Sequence, residues 1–441
     1  MSGYAEYREV NLPWLKAVPA HWEMRRNKNI FTEQKEIVGE RSADYTLLSL
    51  TLNGIIPRDM DGGGKFPESF DKYKIVKNGD MAFCLFDIDE TPRTVGLSGY
   101  NGMLTGAYTI MRISNINARF IYYYYLALDN GKMLRPLYTG LRKTININTF
   151  QSTKVPVPPR SEQDQIVRFL DWKVSSINKL INIKHKEISE LNESLNTKLR
   201  DVLLSIPNVK EVPLKRICSV PMTDGPHETP TFVDSGIPFV SAEASHDGRI
   251  HLDECRGFIT REQHEVYCQK VRPHKNDIFI VKSGSTTGKT VMVDFDEEFS
   301  IWSPLALVRC NNLAMPRYVF FYCTSVMFQK QVRDNWSFGT QPNIGMGVLE
   351  NLRLPLPEIE EQRAIADTLD AYWSKVLQVK CNLKKQIEEF QSLKTRIIAD
   401  AVTGKIDVRS IEIPEYEFVD EDNDNVDENL EQGADEPPEE E

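Results

Sequence analysis

The sequence predicts an α+β chain built twice: two mixed α/β globular domains separated by a pair of long antiparallel coiled-coil helices, with a pseudo-twofold internal repeat. Three observations lead there. Val155-Pro-Val-Pro-Pro-Arg-Ser-Glu-Gln163 recurs as Leu354-Pro-Leu-Pro-Glu-Ile-Glu-Glu-Gln362, an offset of 199 residues. Each copy is followed by a stretch in which apolar residues step by four and three. The segments ahead of each copy also correspond: Lys77-Asn-Gly-Asp-Met-Ala-Phe83 with Lys275-Asn-Asp-Ile-Phe279, Asn117-Ala-Arg-Phe-Ile-Tyr-Tyr123 with Met315-Pro-Arg-Tyr-Val-Phe-Phe321, and Gly140…Asn146 with Gly339…Asn343.

The first globular domain is assigned to 1–157. Thr46–Leu52, Met81–Phe86 and Thr109–Ile113 have strand-like content, with turns at Asn53-Gly54 and Asp61–Gly64, and Asn117–Leu128 reads as a helix. The first helical region is 158–208. Its seam is 166, 170, 174, 177, 181, 184, 188, 191, 195, 198 and 202, apolar except for Lys184 and Lys198. Ser161 with Asp164 suggests an N-terminal capping box, and Pro207 suggests the stop. The second globular domain, 209–356, holds a strand at Asp277–Val281, a turn at Gly225 and helical sequence at Arg261–Lys270 and Pro316–Gln329. The second helical region, 357–409, has its seam at 365, 369, 372, 376, 379, 383, 386, 390, 393 and 397, with Gly404 placed to end the helix. At 1.5 Å per residue each helix would run roughly 60 Å. If Val212 and Arg353 bring the entry and exit of the second domain together, the helices pair antiparallel.

Charge divides the chain unevenly. Residues 410–441 hold 15 acidic and no basic side chains and are expected to be disordered; a tail that mimics DNA is the alternative. Without that tail, 53 Lys and Arg face 49 Asp and Glu. Within 105–160 eight basic residues stand against Asp129 alone, and 299–333 has four basic and no acidic residues. Such strips suit nucleic acid or an acidic protein neighbour. Seven cysteines, with no CxxC, are expected to be thiols in a reducing cytoplasm. No apolar run is long enough to span a bilayer, and no secretory leader is evident.

Two motifs invite chemistry. Gly284-Ser-Thr-Thr-Gly-Lys-Thr290 is one residue short of a phosphate-binding loop and precedes strand-like Val291-Met-Val293, so a glycine-rich loop between strands is favoured over nucleotide binding. His251 with Cys255 and His264 with Cys268 could supply zinc ligands, but thiols with surface histidines are the favoured reading, and no metal site is assigned. GxSxG, HExxH and the Asn-Pro-Pro-Tyr/Phe of amino-methyltransferases are absent, and no catalytic residue is assigned.

The chain resembles the specificity subunit of Type I restriction–modification systems across nearly all of residues 10–409. The resemblance is carried by both Pro-x-Pro…Glu-Gln helix starts, by Ala401-Val-Thr-Gly-Lys-Ile-Asp-Val408, and by Gly339-Thr-Gln-Pro-Asn343. It also rests on Asp224-Gly-Pro-His-Glu-Thr-Pro230 with Gly236-Ile-Pro-Phe-Val240, and on Gly284…Gly288-Lys289. Residues 140–148 fit loosely and the acidic tail falls outside the pattern. The resemblance implies a cytoplasmic, non-catalytic subunit. Two target-recognition domains would each read half of an asymmetric bipartite site in double-stranded DNA, and the helix pair would set the spacing. Two methyltransferase subunits, which bind S-adenosylmethionine, would dock on it, and motor–nuclease subunits would join them; the chain itself would hold no cofactor. From the loops and basic strips, the residues expected to touch DNA are Arg58, Lys65, Arg93, Arg142, Lys143 and Asn146 in the first domain. In the second they are Lys282, Ser283, Thr286, Lys289, Gln341 and Asn343. A coiled-coil scaffold with protein-binding ends and a P-loop nucleotide hydrolase remain the other readings.

Overall fold

The computed structural model describes residues 3–52, 54–58, 67, 69–139, 143–205, 209–338 and 341–421. The chain divides into two compact units, 1–185 with 385–441, and 186–384. Eight α-helices are described: α1 Ala118–Asn130, α2 Ile147–Ser152, α3 Arg160–Leu204, α4 Arg261–Cys268, α5 Pro316–Thr324, α6 Val326–Asn335, α7 Met346–Leu349 and α8 Ile359–Val402. Both long helices have residues in each unit.

In unit 1 the central sheet is antiparallel, in the order Phe31–Gln34, Thr109–Ile113, Met81–Phe83, Val95–Leu97. Its apolar side meets α1 and α2 in an aromatic core, where Phe83 stands 5.0 Å from Tyr125 and 4.9 Å from Phe150. Ile166, Phe169 and Leu170 of α3 and Ile398, Ala401 and Val402 of α8 join that core. The helices run antiparallel here: Gln165 donates to the carbonyl of Val408, whereas Lys394 donates to Asn178 thirteen residues further along α3.

Unit 2 repeats the plan with additions. Its six-stranded sheet runs Thr223–Asp224, Leu305–Val308, Ile278–Val281, Thr290–Met292, Arg249–Ile250, Ser245–His246. Phe320 and Phe321 of α5 pack on Trp373 of α8 at 5.4 and 5.7 Å. Leu195, Leu199 and Leu203 of α3 lie in the same core as Ile365, Leu369 and Val376 of α8. Entry and exit of the second domain do meet: Glu211–Pro213 pairs antiparallel with Arg353–Pro355, as Glu23–Arg26 pairs with Lys154–Val157 in unit 1.

The repeated sequence has a physical basis. Gln163 accepts from the backbone N–H of Asn117 and donates to the carbonyl of Pro158; Gln362 accepts from Met315 and donates to Pro357 and Leu313. Each glutamine is buried and ties the start of a long helix to the start of the helix above it. Asp80 pairs with Arg112, and Asp277 with Arg309, bracing the same two strands in each copy. Backbone donors and acceptors with no other partner would be costly to bury, so these two polar side chains are held in place by the frame they complete.

Several sequence expectations need correction. Ser161 does not cap α3, which begins at Arg160 behind Pro158-Pro159; Asp164 instead pairs with Arg160 and accepts from Asn117. The α3 seam drifts: Leu199 and Leu203 are buried where 198 and 202 were expected, the drift of a 3.6-residue helix against a 3.5-residue repeat. On α8, Val379 and Leu393 are exposed, while Trp373 and Ile387 are buried. Pro316–Gln329 is two helices, broken at Ser325, whose extended backbone and side chain cap α6. Residues 410–421 are not disordered: Ser175 and Asn178 donate to the carbonyls of Glu417 and Val419, and Lys394 pairs with Glu421. Residues 422–441, Pro207, Asn53 and the turn at 61–64 lie outside the described residues. Gly404 ends α8 as expected, at φ +75°.

Candidate nucleic-acid interface

In unit 2, residues 282–289 join the paired strands Ile278–Val281 and Thr290–Met292. The glycine-rich segment is therefore a strand-to-strand loop, and no helix follows it to face a phosphate. Gly284 and Gly288 take left-handed backbone, at φ +103° and +95°. A Cβ on Gly288 would also meet Gln329 Oε1 at 2.5 Å, and Gln329 donates to the Gly288 carbonyl at 2.7 Å. The tip is clasped by a second segment. Gly284 N–H and Thr287 Oγ1 both donate to the carbonyl of Pro342, Ser283 bridges to Asn343, and Ile344 N–H donates to Lys282.

Lys282, Ser283, Thr286, Lys289, Gln341 and Asn343 thus converge on one loop pair. Lys289, Gln341 and Asn343 are exposed, Ser283 and Thr286 half-buried. Lys282 has another task. Its side chain is 15% exposed and pairs with Asp224 at 2.8 Å. Asp224 also takes Lys270 at 2.6 Å and lies 3.3 Å from His227, which is exposed. Burial would raise the Asp224 carboxyl, but hydrogen bonds from Lys270 and Lys282 outweigh it and hold the group below its ordinary range. Asp224 therefore steers two lysines and a histidine beside the loop. Sequence reasoning quoted Asp224 and His227 as a motif but did not assign them to the site; only their long-range pairing gives them this place.

Unit 1 builds its loop from other chemistry. The chain leaves Met81–Phe83 into Asp87, at φ +42°, where the second copy has Gly284. Asp87 N–H donates to the Lys143 carbonyl, and Phe86 bridges to Thr144. Lys143 reaches Asp89 at 3.3 Å and also pairs with Glu90. Tyr138 donates to Asp89 at 2.6 Å. That bond, foremost, lowers the Asp89 carboxyl, while burial and the same bond push the Tyr138 hydroxyl up to about 12. The loop is acidic, and Lys143 is occupied in neutralising it.

The remaining first-domain candidates scatter. Arg93 donates to Asp129 and Asn130, both at 2.9 Å, and is 15% exposed; it closes the end of α1 and is withdrawn from the interface. Asn146 caps α2 by accepting from Asn148. Arg58 N–H donates to the Leu47 carbonyl. Lys65 and Arg142 lie outside the described residues. The basic strip at 105–160 is largely spent internally: Arg112, Arg119, Lys132 and Arg160 pair with Asp80, Asp171, Asp129 and Asp164. No helix among the described residues is long and apolar enough to cross a membrane.

The family profile described as Type I restriction modification DNA specificity domain matches residues 68–193 and 208–389. The MjaVIII specificity subunit of a Type I restriction enzyme from Methanocaldococcus jannaschii is 25% identical over 431 residues, spanning 92% of this chain and 98% of the relative. The EcoBI specificity subunit from Escherichia coli is 21% identical over 290 residues, spanning 60% of each. In a structure described as showing complex assembly and conformational transition of the type I R-M system, one chain aligns at a TM-score of 0.56. That alignment has 16% identity and covers 88% of this chain and 99% of that one, a likeness of fold.

Proposed function

The chain belongs to the family of Type I restriction modification DNA specificity proteins and is a specificity subunit of such a system; we propose that its two units read the two unlike halves of a bipartite DNA target, with no catalysis of their own. The observation that carries this reading is one braced frame used twice under two chemically different loops. Identical heads, as in a homodimer, read a palindrome; unlike heads read an asymmetric site. In unit 2 the readers are Lys289, Gln341 and Asn343, with Ser283 and Thr286 toward phosphate. Lys282 and Lys270, held by Asp224, supply positive field.

The spacing device is the helix pair. At 1.5 Å per residue, the 45 residues of α3 extend roughly 68 Å, against a DNA turn of about 34 Å. Exposed Leu180 and Ile183 on α3 and Val379 and Leu393 on α8 offer apolar contacts for two methyltransferase subunits. Those partners would bring S-adenosylmethionine and the methyl-transfer chemistry, and motor–nuclease subunits would add cleavage, all in the compartment that holds the DNA. The test is methylation-sensitive sequencing of a host carrying this chain with its methyltransferase. Modified adenine at a single two-part motif with an unread gap supports the reading; methylation at a palindrome, or nowhere, removes it.

A further inference from the structure

One cluster of donor atoms in unit 2 lies outside both loops. Ser245–His246 and Arg249–Ile250 form a tight hairpin at the edge of the six-stranded sheet. Its tip is Asp247-Gly248, with φ of +50° and +79°. The second strand runs directly into His251, and a short helical turn, Leu252–Glu254, follows. Within nine residues the chain therefore presents His246, His251 and Glu254, one ligand atom from each lying within 4.8 Å of the others.

We propose that His246, His251 and Glu254 form a binding site for a divalent transition ion of the zinc class. Three observations converge. His246 Nε2 is 2.8 Å from a Glu254 carboxylate oxygen, a nitrogen–oxygen spacing that small adjustments would turn into shared coordination. His251 Nε2 is buried and has no hydrogen-bond partner among the described residues, although a neutral imidazole left so is costly. The other nitrogen of His246, Nδ1, faces Asp247 at 3.5 Å, and Asp247 is fixed in turn by Lys384 at 2.9 Å and Lys380 at 3.3 Å on α8. A carboxylate behind a histidine is the arrangement that orients ring ligands on a metal. Two imidazoles and one carboxylate suit zinc, with a position left for water.

The two rings now stack, 3.9 Å apart and 10° from parallel. Parallel rings cannot both aim in-plane lone pairs at one ion, so coordination exchanges the stack for two metal–nitrogen bonds and turns one imidazole. Cys255, the partner that the His251-x3-Cys255 spacing suggested, is not part of the donor group; His246, five residues before His251, takes its place. The bound ion would lock the hairpin to the following turn while Asp247 holds its tip on α8, stiffening the seam between recognition sheet and spacer helix within unit 2.

The experiment uses the full-length chain, stripped with chelator and titrated with Zn2+ against a chromophoric competitor, with Co2+ as a spectroscopic stand-in. One equivalent of Zn2+ is expected to bind and to raise the melting temperature. Glu254→Gln, at a half-exposed side chain, is expected to weaken binding at least about tenfold, and His251→Ala about 100-fold. Cys268→Ser, in the other histidine–cysteine pair, should leave binding unchanged, and the Co2+ spectrum should lack a thiolate charge-transfer band. Absence of saturable Zn2+ binding would overturn the proposal, as would binding that survives both substitutions or disappears in Cys268→Ser. Unaltered DNA methylation in a Glu254→Gln variant would leave the recognition reading untouched while the titration alone judges the metal site.

Discussion

The loops that follow Asp80 and Asp277 leave matching sheets and then part company. In unit 2 the loop is Gly-, Ser- and Thr-rich, carries Lys289 outward and leans on residues 342–344. In unit 1 the equivalent loop carries Asp87, Asp89 and Glu90 and draws Lys143 onto itself. Below both, the same polar braces recur: each glutamine accepts a backbone N–H at the start of α1 or α5 and donates to a proline carbonyl, and Gln362 adds a bond to Leu313. The lesson is a division of labour. The frame is fixed by buried groups that have nowhere else to bond, whereas the loops, free of that constraint, can take opposite charge.

The sharpest way to break this comparison is to attack the frame. Gln362→Leu would strand the Met315 N–H and the carbonyls of Leu313 and Pro357. At roughly 1 kcal/mol per orphaned group, a loss of about 3 kcal/mol is expected. Gln163→Leu strands one donor and one acceptor, for a loss of about 2 kcal/mol. Urea denaturation of the full chain, resolved into the two units where the transitions separate, measures both. Equal or negligible losses would mean that these glutamines do not brace the copies.

Next comes the ion-pair brace. Arg309 reaches Asp277 through two bonds of 2.7 Å, whereas Arg112 makes one of 3.3 Å to Asp80 and is 46% exposed. Asp277→Ala should therefore cost about 2 kcal/mol and Asp80→Ala nearer 1 kcal/mol, the exposed partner being rescued by water. The same denaturation series reads the difference, and a reversal of the order would contradict the geometry.

The loops themselves are separated by a binding measurement. Lys289→Glu should weaken binding to a duplex about tenfold at low salt, and flatten the dependence of affinity on salt by about one phosphate contact. Assembly with the methyltransferase should be intact. A gel-shift titration across salt concentrations checks this, and unchanged affinity would take Lys289 out of the interface.

How much of this was legible in the sequence follows from how local each signal was. The long helices were readable because α3 and α8 write their apolar spacing over many turns, and Thr109–Ile113 was readable to the residue. The break at Ser325 was not, because it is made by one side chain capping the next helix rather than by Pro or Gly. The second-domain loop was legible because Gly284 and Gly288 mark a turn between two strand-like segments. The internal pairing of the first-domain basic residues was not. A window of charge at 105–160 cannot see Asp80, Asp89 and Glu90, which come from outside the window and neutralise Arg112 and Lys143 across the fold. Asp224 was missed for the same reason, since Lys270 and Lys282 reach it only in three dimensions.

The finest discriminator between the loops is Asp224, which has no acidic counterpart role in unit 1, where the acids are in the loop itself. Its folded carboxyl is held below the ordinary value of 3.8. A depressed carboxyl contributes stability that is present above its unfolded value and lost only as pH falls through the folded one. Between pH 8 and pH 5 the Asp224 pairs should therefore be constant, and any change in DNA affinity over that span must come from other groups. Asp224→Asn removes the pairing. Because Lys270 is 47% exposed and recovers water, the cost in stability should be small, about 0.5–1 kcal/mol. Lys282 is the more confined, at 15% exposed, and its released ammonium adds local positive field. Duplex affinity at low salt should then rise by no more than about threefold, at the expense of discrimination between target and non-target DNA. A melting curve and a competition titration on the same variant separate the two effects: a large affinity loss would show that Asp224 reads the DNA itself rather than steering the lysines beside it.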